Sequence, residues 1–227
     1  MGSRVFRRAA LAVLLAAGLA ASGCSSPPAG SKTAAKLMPQ VQALARGAKS
    51  VHITGSAIQG AQTFTMNVSF SGTSAAGTIG SGGGRFYLML LNGNAFIKLN
   101  AAFLKEAKLP ASACTTACGK YVQLPAASIS QLTGAFTMHA LVNQAFSTKT
   151  IDSAAASGCV FSPATLDGQP VLQCHQGGYT VDVAAHGNPY MLLITGPNEH
   201  IAFSDWNSVT LPPPPPARQV INLSKLG

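Results

Sequence analysis

Few residue types in this chain could carry out covalent or acid–base chemistry. The 227 residues include five cysteines and five histidines but only six acidic residues. Asp182 and His186 are an acid and a histidine four residues apart, and a strand followed by a turn explains that pair better than a catalytic dyad. No G-x-S-x-G, phosphate-binding loop or H-E-x-x-H motif occurs. We therefore expect no enzyme, no cofactor and no catalytic metal.

The cysteine nearest the N-terminus follows a segment that is typical of an export signal. Arg4, Arg7 and Arg8 give this segment a positive start, and an apolar run follows over residues 9–20. Small residues then lead to Cys24, as at a signal cleavage site. The apolar run is shorter than the roughly 20 residues that a membrane-spanning helix needs. The segment thus predicts export rather than a transmembrane anchor.

The sequence Ala21-Ser22-Gly23-Cys24 resembles a bacterial lipobox, in which the cysteine sulfur is diacylated and the signal is removed before it. Ala21 stands where Leu is usual, and an ordinary signal with an unmodified Cys24 is the alternative. Two acyl chains anchor a protein stably, whereas a single chain binds a membrane only marginally. We expect a signal peptide over residues 1–23 and a lipid-anchored protein on the extracytoplasmic face of the cell membrane.

The other four cysteines lie in the part that should fold. In an oxidising compartment an even number of cysteines predicts disulfides. Among three possible pairings we favour Cys114 with Cys118 and Cys159 with Cys174, because each pair is close in sequence and flanks a predicted turn. A four-cysteine zinc site is the alternative, but the spacing lacks paired C-x-x-C motifs.

The composition of the chain limits the kinds of ligand that it could bind. The formal net charge is +9, yet only 9% of the residues are charged, against 47% that are hydrophobic. The lysines are scattered and no basic run is interleaved with aromatic residues, which favours a solvated surface over a nucleic-acid site. The apolar excess either fills a core or lines a cavity.

The periodicity of the chain changes from helical to strand-like after about 50 residues. Residues 24–32 are small, polar and proline-containing, which predicts a flexible tether. A helix is expected over residues 33–48 with Thr33 as its N-cap. Strict alternation then indicates strands, and Asn92-Gly93 between apolar runs predicts a hairpin. Residues 88–91 are apolar at every position, so this strand should be covered on both faces.

The rest of the sequence, after residue 100, predicts two helices and a meander of strands. A short helix is expected over residues 101–107, and a second, unusually apolar helix should run from Ser128 or Ser130 to about Phe146. Pro212 to Pro216 predict a rigid polyproline segment, or alternatively a docking site for a proline-reading domain. The expected class is α+β with one large antiparallel sheet. Its later strands are expected at residues 120–124, 159–162, 169–175, 179–184, 190–195, 199–203 and 220–223.

This order of elements resembles that of the actinobacterial LppX/LprG lipoprotein family, whose fold is similar to that of the lipoprotein carrier LolA. The resemblance spans residues 33–226. It is carried by Cys24, by Ser50-Val51-His52-Ile53-Thr54-Gly55, by the hairpin over residues 86–99, and by Phe203-Ser204-Asp205-Trp206-Asn207 followed by prolines. The four further cysteines and the five-proline run depart from the family pattern and leave the ligand open.

The resemblance implies a curved antiparallel half-barrel packed on helices, over residues 33–227. It also implies an apolar cavity that binds lipid or lipoglycan acyl chains for transport across the envelope, with an envelope transporter as a possible partner. Apolar residues on one face of the predicted strands and helix are the expected lining; ordinary core packing is the alternative for each. These residues are Phe64, Met66, Val68, Phe70, Leu88, Leu90, Phe136 and Leu141.

Two functions from different classes follow. The first is a membrane-tethered carrier that shields acyl chains. The second is a non-enzymatic envelope lipoprotein that uses the same fold as a sensor or scaffold for a protein partner. A filled core with no cavity would favour the second function, whereas an apolar cavity would favour the first.

Overall fold

The computed structural model describes residues 30–82, 84–98, 100–106, 108, 110–124, 137–145 and 158–222. These residues form one 13-stranded sheet with short helices. The helices are α1 (Ala34–Gly47), α2 (Ala101–Glu106), α3 (Ser112–Ala117) and α4 (Met138–Ala145), with a 3-10 turn at Ala217–Gln219. The strands are β1 (Lys32–Thr33), β2 (Ser50–Gln59), β3 (Gln62–Ser71), β4 (Ser74–Ser81), β5 (Gly84–Leu91), β6 (Asn94–Lys98), β7 (Tyr121–Gln123), β8 (Val160–Leu166), β9 (Gln169–Gln176), β10 (Tyr179–Ala184), β11 (Met191–Gly196), β12 (Glu199–Ser204) and β13 (Val220–Asn222).

The sheet consists of two meanders joined along one seam. Its strand order is β1-β8-β9-β10-β11-β12-β2-β3-β4-β5-β6-β7-β13, so the seam is the pair β12 and β2. Because β1 and β13 lie at opposite edges, the sheet is not closed. The predicted α+β class is confirmed, with one difference. β13 pairs with β7 in parallel, so the sheet is mixed rather than wholly antiparallel.

The predicted Asn-Gly hairpin is present between β5 and β6. Asn92 and Gly93 both have positive φ, 50° and 75°. This pair of left-handed conformations matches the twist of the flanking strands and is tolerated by Asn and Gly. Asp167 and Gly168 make the same kind of turn between β8 and β9, with φ values of 49° and 77°.

Helix α1 packs against one face of the sheet, which we call the inner face. Its buried residues Leu37, Met38 and Val41 belong to one core cluster with strand residues from both meanders. Thr33 is the N-cap residue of this helix, as predicted, but its side chain makes no capping hydrogen bond. Instead the Ala34 backbone N–H donates to the Cys159 carbonyl at 2.9 Å, which joins the start of α1 to the strand β8 region.

The opposite, outer face carries a second, smaller apolar cluster. Met89 and Leu91 are buried there, while Leu88 and Leu90 are buried on the inner face. The prediction that residues 88–91 are covered on both sides is therefore confirmed. Leu211, in the segment between β12 and β13, packs on the outer cluster. That segment crosses the outer face because β12 lies mid-sheet whereas β13 lies at one edge.

Both disulfides have the pairing that the sequence favoured. Cys114, within α3, is joined to Cys118, the residue that follows α3, with a Cα–Cα distance of 4.6 Å. Cys159 and Cys174 join the segment before β8 to β9, with a Cα–Cα distance of 6.2 Å. The second pair is buried in the main core cluster.

Several predicted features lie outside the described residues. These are the signal peptide, Cys24, most of the tether, Phe136 and both ends of the long apolar helix, of which residues 138–145 are described as α4. The last tether residue, Lys32, already pairs with Phe161. In the part of the chain that the structure describes, no helix has the length and apolarity to cross a membrane.

Candidate functional site

Residues on the inner face form cross-strand rows because antiparallel partners point to the same side of a sheet. Two adjacent rows of this face are almost wholly buried, and we call them the core rows. They contain Ile53, Val68, Gly77, Leu88 and Ile97 in one row, and Val51, Phe70, Ala75, Leu90 and Ala95 in the other.

The row beside the core rows is apolar but incompletely covered. Five of its six side chains are half-buried, and all six belong to the core cluster or pack against it. We call it the apolar row. It runs through Val181, Ile194, Ile201, Gly55, Met66, Ile79 and Phe86, each paired directly with the next.

A last row, the rim row, adds polar groups to this surface. It contains Gly196, Glu199, Ala57, Phe64, Ser81 and Gly84. The ring of Tyr179 lies over Gly196, where it occupies the place that a Cβ would take. The inner face thus changes from buried and apolar at the core rows to half-exposed and partly polar at the rim row.

The structure separates the predicted lining residues into two groups. Met66 lies in the apolar row and Phe64 in the rim row, both half-buried. Leu141 is half-buried on α4 and packs against the same core. The remaining described ones lie in the core rows, and their exposures of 0–2% leave no surface for a ligand. They are Val68, Phe70, Leu88 and Leu90.

Glu199 is the ionisable group of the rim row. Its Oε1 atom is shielded from solvent and has no hydrogen-bond partner. Burial raises the pKa of the Glu199 carboxyl above its ordinary value of 4.5 because the low-dielectric surroundings disfavour the charged form. Sequence reasoning did not single out this residue. The sequence does contain a signal for it: Glu199 alternates with Ile201 and Phe203, which places all three side chains on the inner face.

Asp182 lies on the outer face and is buried. Its Oδ1 accepts a 2.7 Å hydrogen bond from Gln173 Nε2, and Gln173 Oε1 lies 2.7 Å from His175 Nε2. Burial raises the pKa of Asp182, against opposing effects of the Gln173 hydrogen bond and of His175. The partner of Asp182 is therefore Gln173, whereas His186 lies exposed in the turn after β10.

Within the described ranges, no three side chains of His, Cys, Asp or Glu come together in a way that could hold a metal ion. The four cysteines outside the tether are all joined in disulfides.

Comparison with known proteins supports the fold. No model of a protein family matches the chain, and no curated protein matches it in sequence. Among solved structures, LprF from Mycobacterium bovis matches 80% of this chain and 96% of its own, at 13% identity and a TM-score of 0.51. The lipoprotein LppX from Mycobacterium tuberculosis matches 78% of this chain and 97% of its own, at 15% identity and a TM-score of 0.43.

The 96% coverage of LprF means that nearly all of that protein has a counterpart here. At 13% identity the likeness concerns the fold and not the ligand. The resemblance predicted from the order of elements is thus confirmed at the level of the fold, and the chain has the fold of LprF, a mycobacterial protein of the LppX/LprG type.

Proposed function

We propose that this chain is a lipoprotein, anchored to the extracytoplasmic face of the membrane through diacylated Cys24, that binds lipid or lipoglycan acyl chains and carries them across the envelope. The observation that supports this most is the half-exposed apolar row on the inner face. Contiguous apolar surface that a fold leaves uncovered commonly marks a binding site.

The apolar row suits acyl chains in shape and chemistry. Met66, Ile79 and Phe86 lie side by side on three neighbouring strands, so they form a continuous apolar strip. A flexible thioether such as that of Met66 adapts to chains of different shape. The strip offers no charged group, so binding would rest on burial of hydrocarbon, at about 25 cal/mol per Å².

We propose no catalytic role. Asp182 and His186, four residues apart in the sequence, do not pair, since Asp182 bonds to Gln173 instead. Delivery of a lipid would require an acceptor, for which an envelope transporter is the proposed partner. A sensor or scaffold lipoprotein is the second candidate, and the filled core rows favour it, because a carrier that holds its ligand deep inside would need space there.

The two candidates are separated by extraction of the exported full-length protein from an actinobacterial host. Mass spectrometry of the organic extract should find non-covalent acyl lipid at close to one molecule per protein. A folded protein that yields no lipid would overturn the carrier function and leave the scaffold.

Two adjacent residues provide a matched test of the binding face. Met66 lies in the apolar row, whereas Asn67 is exposed on the outer face. Met66→Glu should lower the co-purified lipid roughly tenfold, because a carboxylate among acyl chains is costly. Met66→Trp should do the same by filling the row without a charge.

Asn67→Glu is the control for the added charge and should retain the full lipid content. Thermal unfolding of each variant identifies losses that arise from misfolding. Equal lipid in the parent and in both Met66 variants would exclude the apolar row as the binding surface.

A further inference from the structure

The rim row contains polar groups at the place where the polar end of a bound lipid would lie. Glu199 is flanked by Ala57 on β2 and by Gly196 on β11, and Ile201 follows on its own face. Its neighbours in the sheet are thus small or apolar. A carboxyl in such surroundings keeps its proton to higher pH than one in water.

The groups that face Glu199 leave it without a charged partner. The other titratable side chain at this end of the inner face is that of Tyr179 on β10, whose ring lies over Gly196. Among the described residues, the apolar and rim rows contain no Lys, Arg or His. His200, Arg85 and Lys98 alternate onto the outer face. Burial alone therefore accounts for the raised pKa of Glu199.

We propose that the Glu199 carboxyl is the specificity group of this site and donates a hydrogen bond to an uncharged oxygen, an ester carbonyl or hydroxyl, at the polar end of an acyl lipid. The inference rests on the proposed lipid-binding function. Its basis is the shielded Oε1 without a partner beside the apolar row. A ligand oxygen that reaches this half-buried carboxyl group would supply the hydrogen bond that it lacks within the protein.

The same geometry disfavours an anionic phosphate. Phosphate groups are bound by Arg, Lys or clustered backbone N–H groups, and the two rows contain none of these cations in the described ranges. An ionised Glu199 would repel a phosphate at short range. The expected ligand is therefore an uncharged acyl ester or glycosyl lipid, and its affinity should fall as Glu199 loses its proton.

The test uses the full-length protein in non-ionic detergent with two probes, dioleoylglycerol and dioleoylphosphatidate, each measured by native mass spectrometry at pH 5 and pH 8. The parent should bind dioleoylglycerol more tightly than the phosphatidate. Its affinity for dioleoylglycerol should fall about tenfold from pH 5 to pH 8. Glu199→Gln, which keeps a neutral donor, should bind dioleoylglycerol equally at both pH values.

His200→Gln is the control, since His200 is the next residue along β12 and points to the outer face. It should retain the pH dependence of the parent. Equal binding by the parent at both pH values, persistence of the pH dependence in Glu199→Gln, or a preference for the phosphatidate would each overturn the role of Glu199 while leaving lipid binding intact. A parent that binds neither lipid would refute the proposed function and this inference together.

Discussion

Asn207 connects three separate parts of the fold. Its Oδ1 accepts the Lys49 backbone N–H at 2.7 Å, and its Nδ2 donates to the Tyr190 hydroxyl at 2.7 Å. Its own backbone N–H donates to the Ser50 carbonyl. With φ at 64°, it occupies a left-handed conformation that Asn tolerates better than most residues. The stretch of residues 203–207 that carried the family resemblance is therefore structural in role.

The neighbouring Trp206 reinforces that junction. Its indole N–H donates to the Met191 carbonyl at 2.8 Å, and its ring stacks on Tyr190 with centroids 5.0 Å apart. These contacts fix the end of β12 against β11. The sequence motif is accordingly explained without any contact to a ligand.

Asp182 provides a prediction at the scale of one side chain. Because burial raises its pKa above the ordinary value of 3.8, the folded state holds its proton more tightly than the unfolded state. The stability that this proton provides is present below pH 3.8 and is lost as pH rises through the raised pKa. Asp182→Asn should therefore increase the free energy of unfolding at pH 8, with the gain vanishing near pH 4.

Urea unfolding of the parent and of Asp182→Asn at a series of pH values measures this difference. A variant that is less stable than the parent at every pH would show that the Gln173 hydrogen bond to the carboxylate outweighs the cost of burying the charge.

Sequence reasoning succeeded for residues whose role depends on local geometry. Asn92-Gly93 specifies its turn through backbone preference, and the short separation of each cysteine pair favoured the observed disulfides. It missed Glu199, because the role of that residue depends on which strands lie beside it. That pairing, with β2 and β11, is not encoded by local periodicity.

At the scale of elements, two inner-face glycines allow strands to approach closely. At Gly77 on β4, the place of a Cβ is taken by the Asn67 carbonyl and the Val68 backbone of β3. Gly55 on β2 meets the backbone of β12 in the same way. These positions need glycine for space, because neither has a positive φ.

Gly77→Ala should consequently destabilise the protein by about 2 kcal/mol or more, since the methyl group must displace backbone atoms. Gly47→Ala is the control: this last residue of α1 has no atom within 4 Å of an added Cβ. It should leave stability unchanged or raise it by up to about 1 kcal/mol. Chemical denaturation measures both, and equal effects would contradict the space argument.

Most strands were predictable from the alternation of apolar and polar residues. Which strands pair with each other, and how deeply each side chain is buried, were not. The four lining residues placed in the core rows share the alternation of Phe64 and Met66. What distinguishes them is their depth in the main core cluster, which brings together distant parts of the chain. The parallel pairing of β13 was missed for the same reason, because three residues that follow a polyproline segment do not specify a direction.

At the scale of the whole molecule, the segment between β12 and β13 acts as a strap across the outer face. Leu211 packs there with the cluster of Ala76, Met89, Leu91 and Phe96. Leu211→Asp should destabilise the fold by about 2 kcal/mol, because it removes an apolar contact and places a charge on apolar surface.

Thr210→Asp is the matched control, since Thr210 is exposed and adjacent. Its effect on the free energy of unfolding should stay within about 0.5 kcal/mol. Similar losses in both variants would mean that the strap does not depend on the apolar contact.

The seam between the two meanders also determines how the molecule assembles. Lys49 and Asn207, which close one end of it, are 158 residues apart in the chain. Each meander consists of neighbouring hairpins that can form while the chain is still emerging, whereas the seam must wait for β12. Contacts between residues so distant in sequence slow folding, because a large loop has to close first. The inner face, which both meanders build, is therefore complete only once residues 158 positions apart have met.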